Sequence, residues 1–166
     1  YDRQYLGPVP AVRALAESLN TPTVQLGMDV GTKKVAGLMQ RLGLESAPRP
    51  LPSLLLGSVA LAPIEVAQIY NSMANGGFRT PLKTVRAVLD GDGKPLERYQ
   101  LKISRAADPA AVQQVNASMT QVIERGTARS ARTWLPPGLV VAGKTGTSDD
   151  LRDSLFAGFT NDHVTV

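Results

Sequence analysis

The chain has 166 residues, 43% hydrophobic and 19% charged, with a formal net charge of +4. That is enough apolar material for a cored domain and too apolar for a disordered chain. With no cysteine in the sequence, thiolate catalysis, thiolate metal sites and disulfides are excluded. Aromatics are sparse and form no basic–aromatic stripe, so no nucleic-acid partner is expected. No apolar run reaches the roughly 20 residues of a bilayer span.

After Pro10, the residues Val12, Leu15, Ala16 and Leu19 recur at helical spacing, and Ser18-Leu19-Asn20 reads as the close of that helix. Val35, Leu38, Met39 and Leu42 predict a second helix, with Thr32 as N-cap and Gly43 as its stop. Pro48, Pro50 and Pro52 predict an extended connection over residues 44–53. Pro63 and Glu65 open a third helix, with Val66, Ile69, Tyr70 and Met73 as its buried stripe and Asn75-Gly76-Gly77 as its end. Residues 84–89 and 96–103 flank the turn Asp90-Gly91-Asp92-Gly93 and predict a hairpin. Another helix starts at Asp108-Pro109, with Val112, Val115, Met119 and Val122 along one face and Gly126 as its stop. Residues 139–142, 155–159 and 163–166 are the remaining strand candidates. Helices first and antiparallel strands last predict an α+β (mixed α/β) fold.

Two short motifs carry chemistry together. Alone, Lys144-Thr145-Gly146-Thr147, followed by Ser148, is an exposed lysine beside a turn, and Ser18-Leu19-Asn20 is a helix end. In this order they resemble the Ser-x-Asn and Lys-Thr-Gly elements of penicillin-binding proteins and serine β-lactamases, whose third element is Ser-x-x-Lys. Their separation suits two walls of one cleft. Such chemistry needs an activated nucleophile, a proton shuttle, an oxyanion hole and a carboxylate anchor. Gly143 and Gly146 bracket the lysine and threonine and let a ligand approach the strand backbone. His163, the only histidine, sits beside a turn and is not assigned to catalysis. Trp134 reads as a surface or hinge anchor, and Asp149, Asp150, Arg152 and Asp153 as a solvated turn or the rim of the cleft's acceptor side. The sequence has no metal-ligand cluster and no phosphate loop.

The blocks around these motifs carry a family resemblance. Residues 14–24, Pro52-Ser53-Leu54-Leu55-Leu56-Gly57-Ser58, Ala62-Pro63-Ile64-Glu65-Val66-Ala67 and Ala74-Asn75-Gly76-Gly77 resemble successive blocks of the class A (bifunctional) penicillin-binding proteins. So do Arg125-Gly126-Thr127-Ala128, Ala142 to Thr147, and Phe156-Ala157-Gly158-Phe159. Tyr1-Asp2-Arg3 and the wording of the later blocks are most similar to the 1b type of Gram-negative bacteria. The resemblance implies the C-terminal part of a penicillin-sensitive transpeptidase domain.

It also implies an activity: acyl transfer from D-Ala-D-Ala stem peptides of peptidoglycan through an acyl-serine, blocked by β-lactams. Ser18 would relay a proton to the leaving amine. Asn20 would hold the substrate amide and the lysine of the Ser-x-x-Lys element, and Lys144 would bond Ser18 and add positive potential. Thr145 and Thr147 would bind the donor carboxylate, with Gly146 and Ser148 beside them in the substrate-binding strand. The Thr147 N–H would form half of an oxyanion hole. No Ser-x-x-Lys occurs in the 166 residues, so no residue here is assigned as the acylated serine, and that element is expected upstream of Tyr1. A glycosyltransferase domain, with the only divalent metal, and the membrane anchor are expected further upstream. The implied setting is the periplasmic side of the bacterial inner membrane, with an outer-membrane lipoprotein activator and cell-division or elongation proteins as partners. The same fold also serves serine β-lactamases, D,D-carboxypeptidases and non-catalytic β-lactam sensors, which stay open as alternatives.

Overall fold

The computed structural model describes residues 6–148 and 154–166. The expectations for Tyr1-Asp2-Arg3 and for Asp149, Asp150, Arg152 and Asp153 lie outside the described residues. The helices are α1 (Ala11–Ala16), α2 (Asn20–Val30), α3 (Thr32–Leu42), α4 (Pro63–Ala74) and α5 (Pro109–Glu124). The strands are β1 (Phe78–Arg79), β2 (Ala87–Leu89), β3 (Pro95–Arg98), β4 (Ser104–Arg105), β5 (Ala142–Thr147), β6 (Ser154–Phe159) and β7 (Val164–Thr165). All pairings among them are antiparallel, and β5, β6 and β7 form one sheet in that order. The α+β expectation holds.

α5 is the central helix. Asp108 caps it by accepting from the Ala110 and Ala111 N–H groups at 3.0 and 3.1 Å, as an N-terminal aspartate should. Its buried face is Val112, Met119, Val122 and Ile123. Val122 and Ile123 pack with Ala128 against Leu135, Val141 and Phe156, between helix and sheet. Val115, expected on that face, is 42% exposed.

Other expectations need correction. The first helix stops at Ala16, and Asn20 opens α2 instead of closing α1. Sequence periodicity did not reveal α2, because α2 buries only Gly27. Thr32 is the first residue of α3, and Gly31, at φ 98°, is the cap. The fully buried positions of α4 are the polar Gln68 and Ser72, while Val66, Ile69, Tyr70 and Met73 are half-buried. The apolar run before Gly143 is mostly a connection, and Lys144 to Thr147 are themselves strand.

The buried polar face of α4 has a structural purpose. The Gln68 side-chain amide donates to the Thr80 carbonyl at 3.1 Å and accepts from the Leu82 N–H at 2.8 Å. In this way it imitates a neighbouring strand. Asn71 and Asn75 also bond Thr80, and the Ser72 hydroxyl donates to the Leu42 carbonyl at 2.6 Å. One helix face thus fastens the C-terminus of α3 and the start of the segment leading to β2. That segment leaves through a neck in which β1 pairs with β4, Phe78 opposite Arg105.

The chain exposes 11883 Å² of surface, where about 7,900 Å² is expected of a compact monomer of this length. Leu26, Met28 and Val30 of α2 and Leu51 and Leu56 nearby are about half exposed. Among the described residues no helix is long and apolar enough to cross a membrane.

Candidate active site

Ser18 is the only non-glycine among the described residues with positive φ, at 57°. The cause is helix termination. The Leu19 N–H reaches the Ala14 carbonyl at 2.9 Å, and the Ser18 N–H reaches the Leu15 carbonyl at 3.3 Å. That is the paired bonding of a Schellman C-terminus, whose left-handed position glycine normally fills. A serine there carries strain that clusters at functional sites, and it projects a hydroxyl from the helix end.

The hydroxyl meets Lys144. The Lys144 ammonium donates to Ser18 Oγ at 2.8 Å, across 126 positions of sequence, and to the Thr145 carbonyl at 2.9 Å. Burial pushes the Lys144 amine below its ordinary value, because desolvation penalises the charged form. Thr145 Oγ1 lies 3.4 Å from the same ammonium and 2.6 Å from Thr127 Oγ1. Thr127 in turn donates its N–H to the Ala16 carbonyl at 3.1 Å. The turn after α5 therefore touches both walls of the site: the end of α1 that carries Ser18, and the strand that carries Lys144. A Cβ on Gly126 would overlap the Ala16 carbonyl oxygen and lie 2.8 Å from Val122 Cα, so this close approach requires glycine.

Among the described residues β5 is an edge strand, paired only with β6. Lys144 and Gly146 share one face by strand alternation. A Cβ on Gly146 would meet nothing within 4 Å, so the strand is open in front of that position. Gly143 has a different reason to be glycine: a Cβ there would overlap the Phe156 ring and come 2.8 Å from the Ala157 carbonyl.

The structure thus joins Ser18, Lys144 and Thr145. Asn20 is exposed at the start of α2, and its side chain bonds neither Ser18 nor Lys144. Thr147 and Ser148 are exposed at the end of the strand. Sequence reading missed the positioning role of Gly126 and Thr127. The available signal was a glycine followed by a hydroxyl residue directly after the longest helix. Trp134 is 87% exposed, as expected of a surface residue.

A family model for the penicillin-binding protein transpeptidase domain matches residues 1–162. The chain belongs to that family. It is 43% identical to penicillin-binding protein 1B of Vibrio cholerae, over 100% of this chain and 21% of that protein. It is 40% identical to penicillin-binding protein 1B of Escherichia coli, over 99% of this chain and 20% of that protein. It therefore spans about a fifth of the length of these curated relatives. Among solved structures, it matches the penicillin G acyl-enzyme complex of penicillin-binding protein A from M. tuberculosis with a TM-score of 0.71 and 25% identity. That match covers 91% of this chain and 39% of the other.

Proposed function

We propose that this chain supplies two walls of the acyl-transfer site of a peptidoglycan D,D-transpeptidase that β-lactams block. The observation that carries this reading is the 2.8 Å bond from Lys144 Nζ to Ser18 Oγ beside the open edge of β5. The match to the transpeptidase-domain family model supports transpeptidation over hydrolysis. The acyl-enzyme of a solved relative supports β-lactam sensitivity.

An ammonium has donors only, so Ser18 Oγ accepts from Lys144 and keeps its own proton free. The Ser-x-x-Lys serine, outside these 166 residues, gives its proton to that element's lysine and attacks the penultimate D-alanine carbonyl, breaking the amide C–N bond to the terminal D-alanine. Ser18 passes its proton to the leaving D-alanine amine and is reprotonated from Lys144, whose depressed basicity eases the relay. Thr145 and Thr147 receive the donor carboxylate, Gly146 and Ser148 flank it, and Asn20 orients the substrate amide. The Thr147 N–H, fixed in the strand, stabilises the oxyanion without reorganising. Side chains and backbone do this work without a cofactor. The large exposed surface supports a domain completed by further polypeptide. We assign that polypeptide to a glycan-polymerising protein on the periplasmic side of the inner membrane, with a lipoprotein activator and division or elongation proteins as partners.

The test is the labelling rate with fluorescent penicillin, using the full polypeptide that carries this chain and a Ser-x-x-Lys. Lys144→Met should slow labelling about 10²–10³-fold, the scale of losing one electrostatic stabiliser, with little change in melting temperature. Normal labelling removes Lys144 from the site. Mass spectrometry of the 166-residue chain after penicillin treatment should find no adduct, and one on Ser18 would make it the nucleophile and overturn the assignment.

A further inference from the structure

A cleft of about 830 Å³ lies between the β2–β3 hairpin on one side and the end of α4 with residues 80–83 on the other. That is within the range of pockets that hold ligands. Its cationic lining is Lys83, Arg86, Arg98 and Lys102, and among the described residues no Asp or Glu lines it. The ion pairs of the described residues are Arg13–Glu17, Arg105–Asp108 and Arg132–Glu124, so none of the four cleft cations has a carboxylate partner there. Lys83 instead rests over the Tyr99 ring, 4.4 Å from its centroid.

The charge is also concentrated. Seven of the 18 Lys and Arg and three of the 14 Asp and Glu fall within residues 79–105. That segment therefore carries +4, and the rest, with eleven of each sign, carries none. Between the cations the walls are apolar: Leu82, Val85, Leu89 and Leu101, the last 72% exposed. The hairpin is a two-stranded sheet whose outer edges are unpaired among the described residues.

We infer that this cleft docks an extended acidic peptide segment of a partner protein, one in which carboxylates alternate with apolar side chains. Four unpaired cations around one concavity repel each other, and an anionic occupant relieves that repulsion. Arginine in particular takes carboxylates through two parallel bonds. The apolar walls give alternate side chains a place to bury, and the free strand edges offer main-chain pairing, the two parts of strand-addition recognition. A free phosphate leaves the apolar walls unused. A bilayer surface cannot follow a concave wall.

The experiment uses the full polypeptide and a fluorescein-labelled peptide of alternating Glu and Val, followed by anisotropy. The expected result is saturable binding that weakens as salt rises from 50 to 300 mM and falls at least tenfold in R86E/R98E, both sites being exposed. The same peptide with Lys in place of Glu should not bind, and K33E/K34E, on the exposed side of α3, should bind like the unaltered protein. Penicillin labelling should stay normal in all variants, which separates this inference from the function of the site. It is overturned if the acidic peptide fails to bind at millimolar concentration, if R86E/R98E binds it equally, or if phosphatidylglycerol vesicles or inorganic phosphate compete it away.

Discussion

At the junction around Ser18, three segments far apart in the chain meet within hydrogen-bonding distance: the end of α1, the turn after α5, and β5. Their contacts are short, Gly126 permits the approach to the end of α1, and a strained serine is held among them. The hairpin from β2 to β3 is built the other way. All four residues of β3 are exposed, its pairing is local, and its fastening to the body consists of the α4 side chains that grip residues 80–82 and the β1–β4 neck. The difference separates two tasks. The acyl transfer proposed for the junction needs groups placed accurately and held there, which over-determined packing supplies. A surface that meets another molecule needs reach and exposure, so it is served by an element anchored only at its root.

Breaking the junction should have the largest effect. Gly126→Ala puts a methyl group against backbone on both sides, so neither neighbour can step aside cheaply. Urea denaturation should show a loss of about 1–3 kcal/mol, the usual scale of overpacking. Penicillin labelling should fall as well, because the Ala16 end must move and Ser18 with it. A variant with unchanged stability and labelling would mean that this contact is slack.

Gln68→Leu tests the root of the hairpin. It removes the acceptor of the part-buried Leu82 N–H, at a cost of about 0.5–1.5 kcal/mol, the usual net worth of one hydrogen bond. Hydrogen exchange should speed up in the amides of residues 84–103 while penicillin labelling stays normal. A drop in labelling would show that the two regions are mechanically coupled.

Smaller effects are expected at Ser18. A left-handed non-glycine residue costs about 1–2 kcal/mol. Ser18→Gly should therefore match or exceed the wild-type melting temperature, and Ser18→Ala should fall below both. Both variants should label slowly. The reverse order of stabilities would show that Ser18 carries no backbone strain.

The smallest effect concerns Lys144. Its folded-state value is lowered from the ordinary 10.5 by burial, so in the window just below 10.5 the unfolded chain holds more protons than the folded one. Stability contributed at this position then rises with pH. Melting temperatures of the wild type relative to Lys144→Met should climb as pH approaches that window from neutrality. A falling difference would place Lys144 in a charge-stabilising environment instead.

The sequence revealed what periodicity and turn chemistry encode. α5 was readable because Val112, Met119 and Val122 repeat at helical spacing, and the hairpin was readable from Asp90-Gly91-Asp92-Gly93. α2 was not, because a helix that buries one glycine has no stripe to see. The interior face of α4 was misread because Gln68 and Ser72 are polar, and their burial depends on main-chain partners in Leu42, Thr80 and Leu82 that no local pattern predicts. The Ser18–Lys144 pairing was expected from motif order, whereas the Thr127–Thr145 link depends on how the α5 turn sits on β5, a matter of tertiary packing alone.

The grip of Gln68 has a consequence for how such a chain can diversify. It holds the carbonyl of Thr80 and the N–H of Leu82, atoms that nearly every amino acid possesses. An anchor made to main-chain atoms is blind to what is threaded through it. With β1 and β4 zipped at the neck, residues 84–103 behave as an interchangeable cassette. A shorter, longer or oppositely charged hairpin could be spliced in at the same root without disturbing the scaffold. A lineage could then replace the docking surface proposed there while the contacts around Lys144 stay as they are.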